Sequence, residues 1–163
     1  MPRRIDYSQL REVVAVAPPD SDFAKIAGFV GSDDKTLAKV TRTAVMLNWA
    51  GVRPQEAAQY VIANTTVVHP DQMGVVIGKW AETAPDAATL WLNKAPSGKP
   101  RDEGMAALAR HWTGGDPAKA WQYAVSVGEY DKRVAVATEV FKVWEKTDRA
   151  AVEKAWVELF PGQ

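Results

Sequence analysis

The stretch "WTGGDPAKAWQYA", residues 112–124, holds two tryptophans on either side of a predicted turn. Asp116 can accept hydrogen bonds from the free N–H groups of a first helical turn, and Pro117 loses no hydrogen bond at the first helical position. We therefore predict a turn after Trp112 and a new helix that begins at Pro117. The two tryptophans belong either to a binding site or to a core, and the rest of the chain helps to distinguish these roles.

The tryptophan that opens this stretch recurs along the chain. Trp49, Trp80, Trp112 and Trp144 are 31, 32 and 32 residues apart. The residues three, four and seven positions before each of them are apolar, with the single exception of Arg42. These offsets place side chains on one face of an α-helix. Each tryptophan is therefore predicted to lie at the end of an amphipathic helix.

A helix breaker and then a second helix follow each of these tryptophans. Asp148 resembles Asp116 as a helix cap but lacks the proline, whereas Pro54 and Pro85 resemble Pro117 but lack an ideal cap. The returns to the next unit are marked by glycines, namely Gly31, Gly98 and Gly128. The repeating unit is therefore predicted to be a helix, a short turn, a second helix and a return.

This pattern predicts an all-α fold, an α-α superhelix (solenoid) of about five helical hairpins with a period of 31–32 residues. Hairpins of this size bury their apolar faces by stacking on their neighbours. We expect a single domain over residues 1–163, with units at approximately 7–31, 32–65, 66–97, 98–129 and 130–161. The first unit is degenerate, because Ala17 stands where the others carry a tryptophan.

The period and the helix pairing resemble tetratricopeptide and HEAT-type repeats. The Leu-Gly pair and the tyrosine that follow the tryptophan of a tetratricopeptide repeat are absent. The order of Trp, Asp-Pro, Ala-Ala and Trp looks more like bacterial helical repeats. The resemblance covers residues 49–160 well and residues 1–48 weakly, and it implies a fold without implying an activity.

Composition and charge disfavour several classes of function. Twenty basic and twenty acidic residues cancel, and no region has the excess of lysine and arginine that binds nucleic acid or anionic lipid. There is no cysteine, and the two histidines are 42 residues apart, so we expect no metal site, no catalytic residue and no cofactor. No signal peptide or membrane-spanning run is recognised, and we expect a cytoplasmic protein.

The aromatic residues fall into two predicted sets. The anchors Trp49, Trp80, Trp112 and Trp144 lie on the apolar stripe and are predicted to plug the core between neighbouring hairpins. The second set, Tyr60, Trp91, Trp121 and Trp156, lies 11, 11, 9 and 12 residues after these anchors, and either a core or an exposed groove role remains open. The partner-binding candidates on the second helices are Gln59, Tyr60, Asn64, Trp91, Asn93, Trp121, Gln122 and Tyr123.

The equal numbers of acidic and basic residues, and the lack of a recognisable set of catalytic residues, favour a protein- or peptide-binding scaffold without catalytic activity. One alternative is a nucleic-acid-binding HEAT-like domain, such as a DNA glycosylase. A second alternative is an enzyme, or a domain that supports one, with a carboxylate in its groove. An exposed apolar face on the last helix, formed by Val152, Trp156 and Leu159, would also favour a homodimer or a missing neighbour.

Overall fold

A computed structural model of the chain describes residues 17–28 and 35–160. Within these ranges all regular structure is helical and no strand occurs, so the prediction of an all-α fold is confirmed there. The helices are α1 (Phe23–Gly28), α2 (Lys35–Val52), α3 (Pro54–Ala63), α4 (Asp71–Ala81), α5 (Pro85–Lys94), α6 (Lys99–Thr113), α7 (Pro117–Val125), α8 (Tyr130–Trp144) and α9 (Arg149–Leu159).

The helices from α2 onward form pairs, and each predicted unit after residue 31 contains one pair. We call α2, α4, α6 and α8 the first helices, and α3, α5, α7 and α9 the second helices. The first helices pack on one another in chain order, α2 on α4, α4 on α6 and α6 on α8. The second helices α3, α5 and α7 each contact both their own first helix and the next one. The first helices therefore form a continuous row. Of the predicted first unit, residues 7–16 and 29–31 lie outside the described residues.

The same turn joins the two helices of every pair. The N–H of the fourth residue after each anchor tryptophan donates a hydrogen bond to the carbonyl of that tryptophan. These bonds are Arg53 to Trp49 (2.7 Å), Ala84 to Trp80 (2.9 Å), Asp116 to Trp112 (2.8 Å) and Asp148 to Trp144 (2.8 Å). The four donor residues have φ between −140° and −150° and ψ between 66° and 84°. The chain thus leaves each first helix with one common backbone geometry, which we call the shared turn.

The predicted helix starts are confirmed. Asp116 accepts a hydrogen bond from the N–H of Lys119 (2.9 Å), and Asp148 accepts one from the N–H of Ala151 (3.0 Å). Second helices α3, α5 and α7 begin at their prolines. Arg53 and Ala84, which precede two of these prolines, provide no side-chain cap. Proline and the carbonyl of the anchor tryptophan therefore suffice to start a second helix without a capping side chain.

The shared turn also determines which residue of each second helix is buried. Four residues after the turn residue, every second helix carries a small or β-branched side chain that is completely buried. These residues are Ala57, Ala88, Ala120 and Val152. The residues four positions before the anchors, Val45, Val76, Leu108 and Val140, are buried in the same way. The alanines at three of the second-helix positions let the two helices of a pair approach closely.

Among the described glycines, Gly104 in the middle of α6 has the most crowded surroundings. A Cβ atom at this position would lie 2.8 Å from Cδ1 of Leu92 on α5 and 3.2 Å from Cγ1 of Ile77 on α4. Both of these side chains are fully buried, so they have little room to move away. The absence of a side chain at Gly104 therefore lets α6 pack against the preceding pair of helices.

Replacing this glycine tests how closely the pairs pack. Overpacking a filled core costs about 1–3 kcal/mol, whereas alanine is favoured over glycine in a helix by about 0.5–1 kcal/mol. The matched control is Gly78 on α4, because among the described residues no heavy atom of a neighbouring element lies within 4 Å of its Cβ position. We expect Gly104→Ala to have a lower free energy of unfolding than Gly78→Ala by about 1–3 kcal/mol in urea titrations. Equal stability of the two variants would contradict this packing.

Candidate functional site

The shared turn defines which residues of the four second helices are equivalent. This alignment differs from the one suggested by the aromatic residues. Counted from this turn, Tyr60, Trp91 and Tyr123 occupy one position, each 11 residues after its anchor tryptophan, and Ala155 takes that position in α9. Trp121 lies two positions earlier and Trp156 one position later. Trp121 and Trp156 therefore do not share the position of Tyr60 and Trp91 in the second helices, in agreement with their uneven spacing from the anchor tryptophans.

Trp121 belongs to the core and not to a groove. Its side chain is 8% exposed, and its ring lies 6.2 Å from the ring of Trp144 and 6.1 Å from the ring of Trp156. The equivalent position in α3 is Ala58, which is also buried. Of the two roles left open for Trp121, the core role agrees with this placement, because its ring is enclosed by other aromatic rings.

The four anchor tryptophans differ in their burial. Trp49 and Trp80 are buried, and the Trp49 ring packs between Phe23 (5.8 Å) and Tyr60 (5.2 Å). Trp112 and Trp144 are half-buried and pack against the core that α6–α9 form. The outer face of Trp112 is covered by the ammonium group of Lys119, 3.6 Å from the ring centroid, a cation–π contact. All four tryptophans therefore pack against core residues, and the last two lie at its margin.

A cleft of about 330 Å³ opens between the second helices α3 and α5. Its lining is predominantly apolar, with one amide and one ammonium group. The lining residues are Gln59, Ile62, Ala63, Trp91, Lys94, Ala95 and Pro96. We call this feature the α3–α5 cleft. Two of the predicted partner-binding residues, Gln59 and Trp91, meet in it.

The remaining predicted residues lie outside this cleft. Tyr60 is half-buried against Trp49, and the Asn64 side chain donates a hydrogen bond to the Tyr60 carbonyl (2.8 Å) at the end of α3. The hydroxyl of Tyr123 lies 3.2 Å from the hydroxyl of Thr89 and connects α7 to α5. Asn93 and Gln122 are exposed on α5 and α7. These side chains are spread over several surfaces and do not converge on one site.

Sequence reasoning missed Ile62, Lys94 and Pro96. Ile62 lies three residues after Gln59 on α3, and Lys94 lies three residues after Trp91 on α5, so helical spacing from the two predicted residues was the available signal. Pro96 follows the end of α5 and closes the rim of the cleft. The distance between α3 and α5, which no sequence pattern gave, decides that these residues share a surface.

A smaller, polar cavity of about 260 Å³ lies between α2 and α4, where Lys39, Arg42, His69, Asp71 and Gln72 meet. Burial raises the pKa of Asp71, but hydrogen bonds from Gln72 and Lys39 together with His69 outweigh burial and hold this pKa below its ordinary value. The Asp71 carboxylate lies 3.2 Å from the Lys39 ammonium. Asp71 is therefore an ionised group that links two first helices.

Asp102 is the buried carboxylate of the described residues, and it has a structural role. Its side chain is 6% exposed, and its two oxygens accept hydrogen bonds from the N–H groups of Gly128 (2.8 Å) and Glu129 (2.9 Å). Asp102 thus connects α6 to the start of α8, where free N–H groups attract negative charge. Gly98 and Gly128 lie at the returns where they were predicted, and Gly31 lies outside the described residues.

Residues 17–28 and 35–160 contain no group of three or more histidine, aspartate or glutamate side chains that could hold a metal ion. None of the described helices combines the length and the apolar character needed to cross a membrane.

No family model, no curated protein and no solved structure matches the chain.

The role of Asp102 can be tested with a matched pair of amide variants. In Asp102→Asn, an NH₂ group replaces one of the two carboxylate oxygens and faces a backbone N–H, so one hydrogen bond is lost. Hydrogen bonds to charged groups contribute about 1.5–3 kcal/mol. Asp116→Asn is the control, because asparagine caps a helix about as well as aspartate. In chemical denaturation we expect Asp102→Asn to lower the free energy of unfolding by about 1.5–3 kcal/mol and Asp116→Asn to leave it nearly unchanged. Equal effects of the two substitutions would show that the Asp102 carboxylate is not needed to hold α8.

Proposed function

We propose that the chain is a helical-repeat scaffold, arranged as an α-α superhelix, that binds a peptide segment of a partner protein in the α3–α5 cleft. The superhelix is supported by two observations. The shared turn recurs four times with one backbone geometry, and the first helices pack on one another in chain order. Units that repeat one geometry and contact their neighbours build up a regular curved array.

The α3–α5 cleft is the observation that carries the peptide-binding proposal. Ile62 and the half-buried ring of Trp91 provide an apolar floor, on which an apolar side chain of a peptide can be desolvated. Aromatic side chains in such positions are frequent sources of binding energy. The Trp91 ring is held in place because it packs against the Trp80 ring at 6.1 Å. The floor of the cleft is therefore formed before a ligand arrives.

The rim of the cleft indicates which peptides fit best. Gln59 is exposed and its amide can donate to and accept from a peptide backbone, and Lys94 is exposed and carries a positive charge. No acidic residue is among those that line the cleft. The preferred ligand is therefore a segment with an apolar side chain followed or preceded by a carboxylate.

Several ion pairs favour a protein ligand over nucleic acid. Some cations of the first helices pair with carboxylates on a neighbouring first helix, among them Lys39 with Asp71 (3.2 Å) and Arg110 with Glu139 (2.8 Å). Hydrogen bonding to Glu139 raises the pKa of Arg110 above its ordinary value. Paired cations contribute little to the counterion release that drives binding to phosphate backbones.

The peptide-binding proposal can be tested by selecting ligands from a random peptide library and titrating the best peptide into purified variants by calorimetry. We expect the selected peptides to combine an apolar residue with an acidic one. Lys94→Glu should weaken binding by about tenfold or more, because it replaces attraction by repulsion. Gln59→Ala should weaken binding less. The matched control is Leu90→Ala, because Leu90 also lies on α5, is 64% exposed and does not line the cleft.

The variants at Gln59, Leu90 and Lys94 change exposed side chains, so melting temperatures close to that of the unmodified chain will show that the fold is retained. The proposal fails if selected peptides bind Lys94→Glu as tightly as the unmodified chain, or if Leu90→Ala weakens binding as much as Lys94→Glu.

A further inference from the structure

The close contacts in the middle of the chain show which positions of a unit receive the next unit. Ile77, three residues before its anchor tryptophan, faces the Cβ position of Gly104 on α6 at 3.2 Å. Leu92, eight residues after its turn residue, faces the same position. Gly74 lies six residues before the anchor. A Cβ atom at Gly74 would lie 3.4 Å from the carbonyl oxygen of Glu103 on α6. These three positions form the surface on which a following unit packs.

In the last pair of helices the same three positions are occupied by Thr138, Phe141 and Trp156. All three side chains are half-buried. In the preceding units the residues equivalent to Phe141 are buried, namely Met46, Ile77 and Ala109. The residues equivalent to Trp156 are buried as well, namely Val61, Leu92 and Ala124. The receiving surface of α8 and α9 is thus left partly open within the described part of the chain.

This surface contains a preformed cleft of about 510 Å³, lined by Thr138, Phe141, Lys142, Glu145 and Trp156. We call it the end face. The Phe141 and Trp156 rings meet at 5.3 Å in a T-shaped arrangement, which fixes the apolar floor of the cleft. Val152, which was considered together with Trp156 and Leu159 as part of an exposed apolar face, is completely buried. The open apolar surface comes from Phe141 on α8 as well as from Trp156 on α9.

We propose that the end face binds the end face of a second copy of this chain and forms a two-fold symmetric dimer. The charges on its rim are self-complementary. Lys142 and Glu145 are exposed on the same helix, three residues apart and of opposite sign. With a two-fold axis through the cleft, Lys142 of each copy faces Glu145 of the other copy. The two resulting ion pairs lie on either side of a shared apolar centre.

The dimer also lengthens the row of first helices, although it sets two receiving surfaces against each other. The first helices α4 and α6 pack on one another, and so do α6 and α8. In the dimer, α8 packs on α8 of the second copy and so continues the row of first helices. This inference does not depend on the α3–α5 cleft, because none of the residues that line the end face lines that cleft.

Sedimentation velocity at increasing micromolar concentrations, followed by charge reversal, tests the dimer. We expect the unmodified chain to change from monomer to dimer as its concentration rises. Lys142→Glu and Glu145→Lys should each raise the dimer dissociation constant by about tenfold or more, because each sets like charges against each other across the two-fold axis. An equimolar mixture of these two variants should recover the dimer, since opposite charges then face each other at both contacts.

Leu90→Glu is the control, because it adds a charge at an exposed apolar residue on α5 outside the end face, and it should leave dimerisation unchanged. A chain that stays monomeric throughout the concentration range would overturn the proposal. So would a mixture of Lys142→Glu and Glu145→Lys that fails to recover the dimer, because the two end faces would then not contact each other. Because Lys142 and Glu145 are exposed, their substitution leaves the fold intact, which circular dichroism checks.

Discussion

The hydrogen bond from the fourth residue after each anchor tryptophan to the carbonyl of that tryptophan is the interaction on which the rest of the structure depends. It closes the first helix and sets the backbone of the turn residue, and in doing so it fixes where the second helix begins. A helix that begins at the same place in every unit presents the same positions to its neighbours. The buried Ala57 and Ala120 are equivalent for this reason, although the residues around them differ.

Both proposed binding surfaces arise where this regular packing is left incomplete. Between α5 and α7, the Tyr123 hydroxyl reaches the Thr89 hydroxyl and connects the two helices. Between α3 and α5, the equivalent residue is Trp91, which packs on Trp80 of its own pair and leaves the α3–α5 cleft beside it. At the end face, Phe141 and Trp156 occupy positions that a following unit would bury. The α3–α5 cleft is therefore a consequence of which side chain occupies a repeated position, whereas the end face is a receiving surface left open within the described residues.

The sequence predicted the local structure well, because local structure depends on neighbours in the chain. The helix that begins at Pro117 and the cap at Asp116 are short-range features, and both are found. For Trp121 the sequence leaves a core and a groove role open, and its distance from the turn at Asp116 places it inside the core. Lys94 was missed because its role depends on the separation of α3 and α5, which is decided by packing between residues far apart in the sequence.

Hydrogen exchange of the backbone amides tests the central claim, that the first helices form one packed row built from a shared turn. The helices α4 and α6 have first helices on both sides, whereas α9 lies at the end of the described chain and packs against α8. At low protein concentration we therefore expect the slowest exchange in α4 and α6 and faster exchange in α9, since helices with fewer buried contacts open more readily. If α9 exchanges as slowly as α4 and α6, or if α4 exchanges faster than α9, the first helices do not form the stabilising row described here.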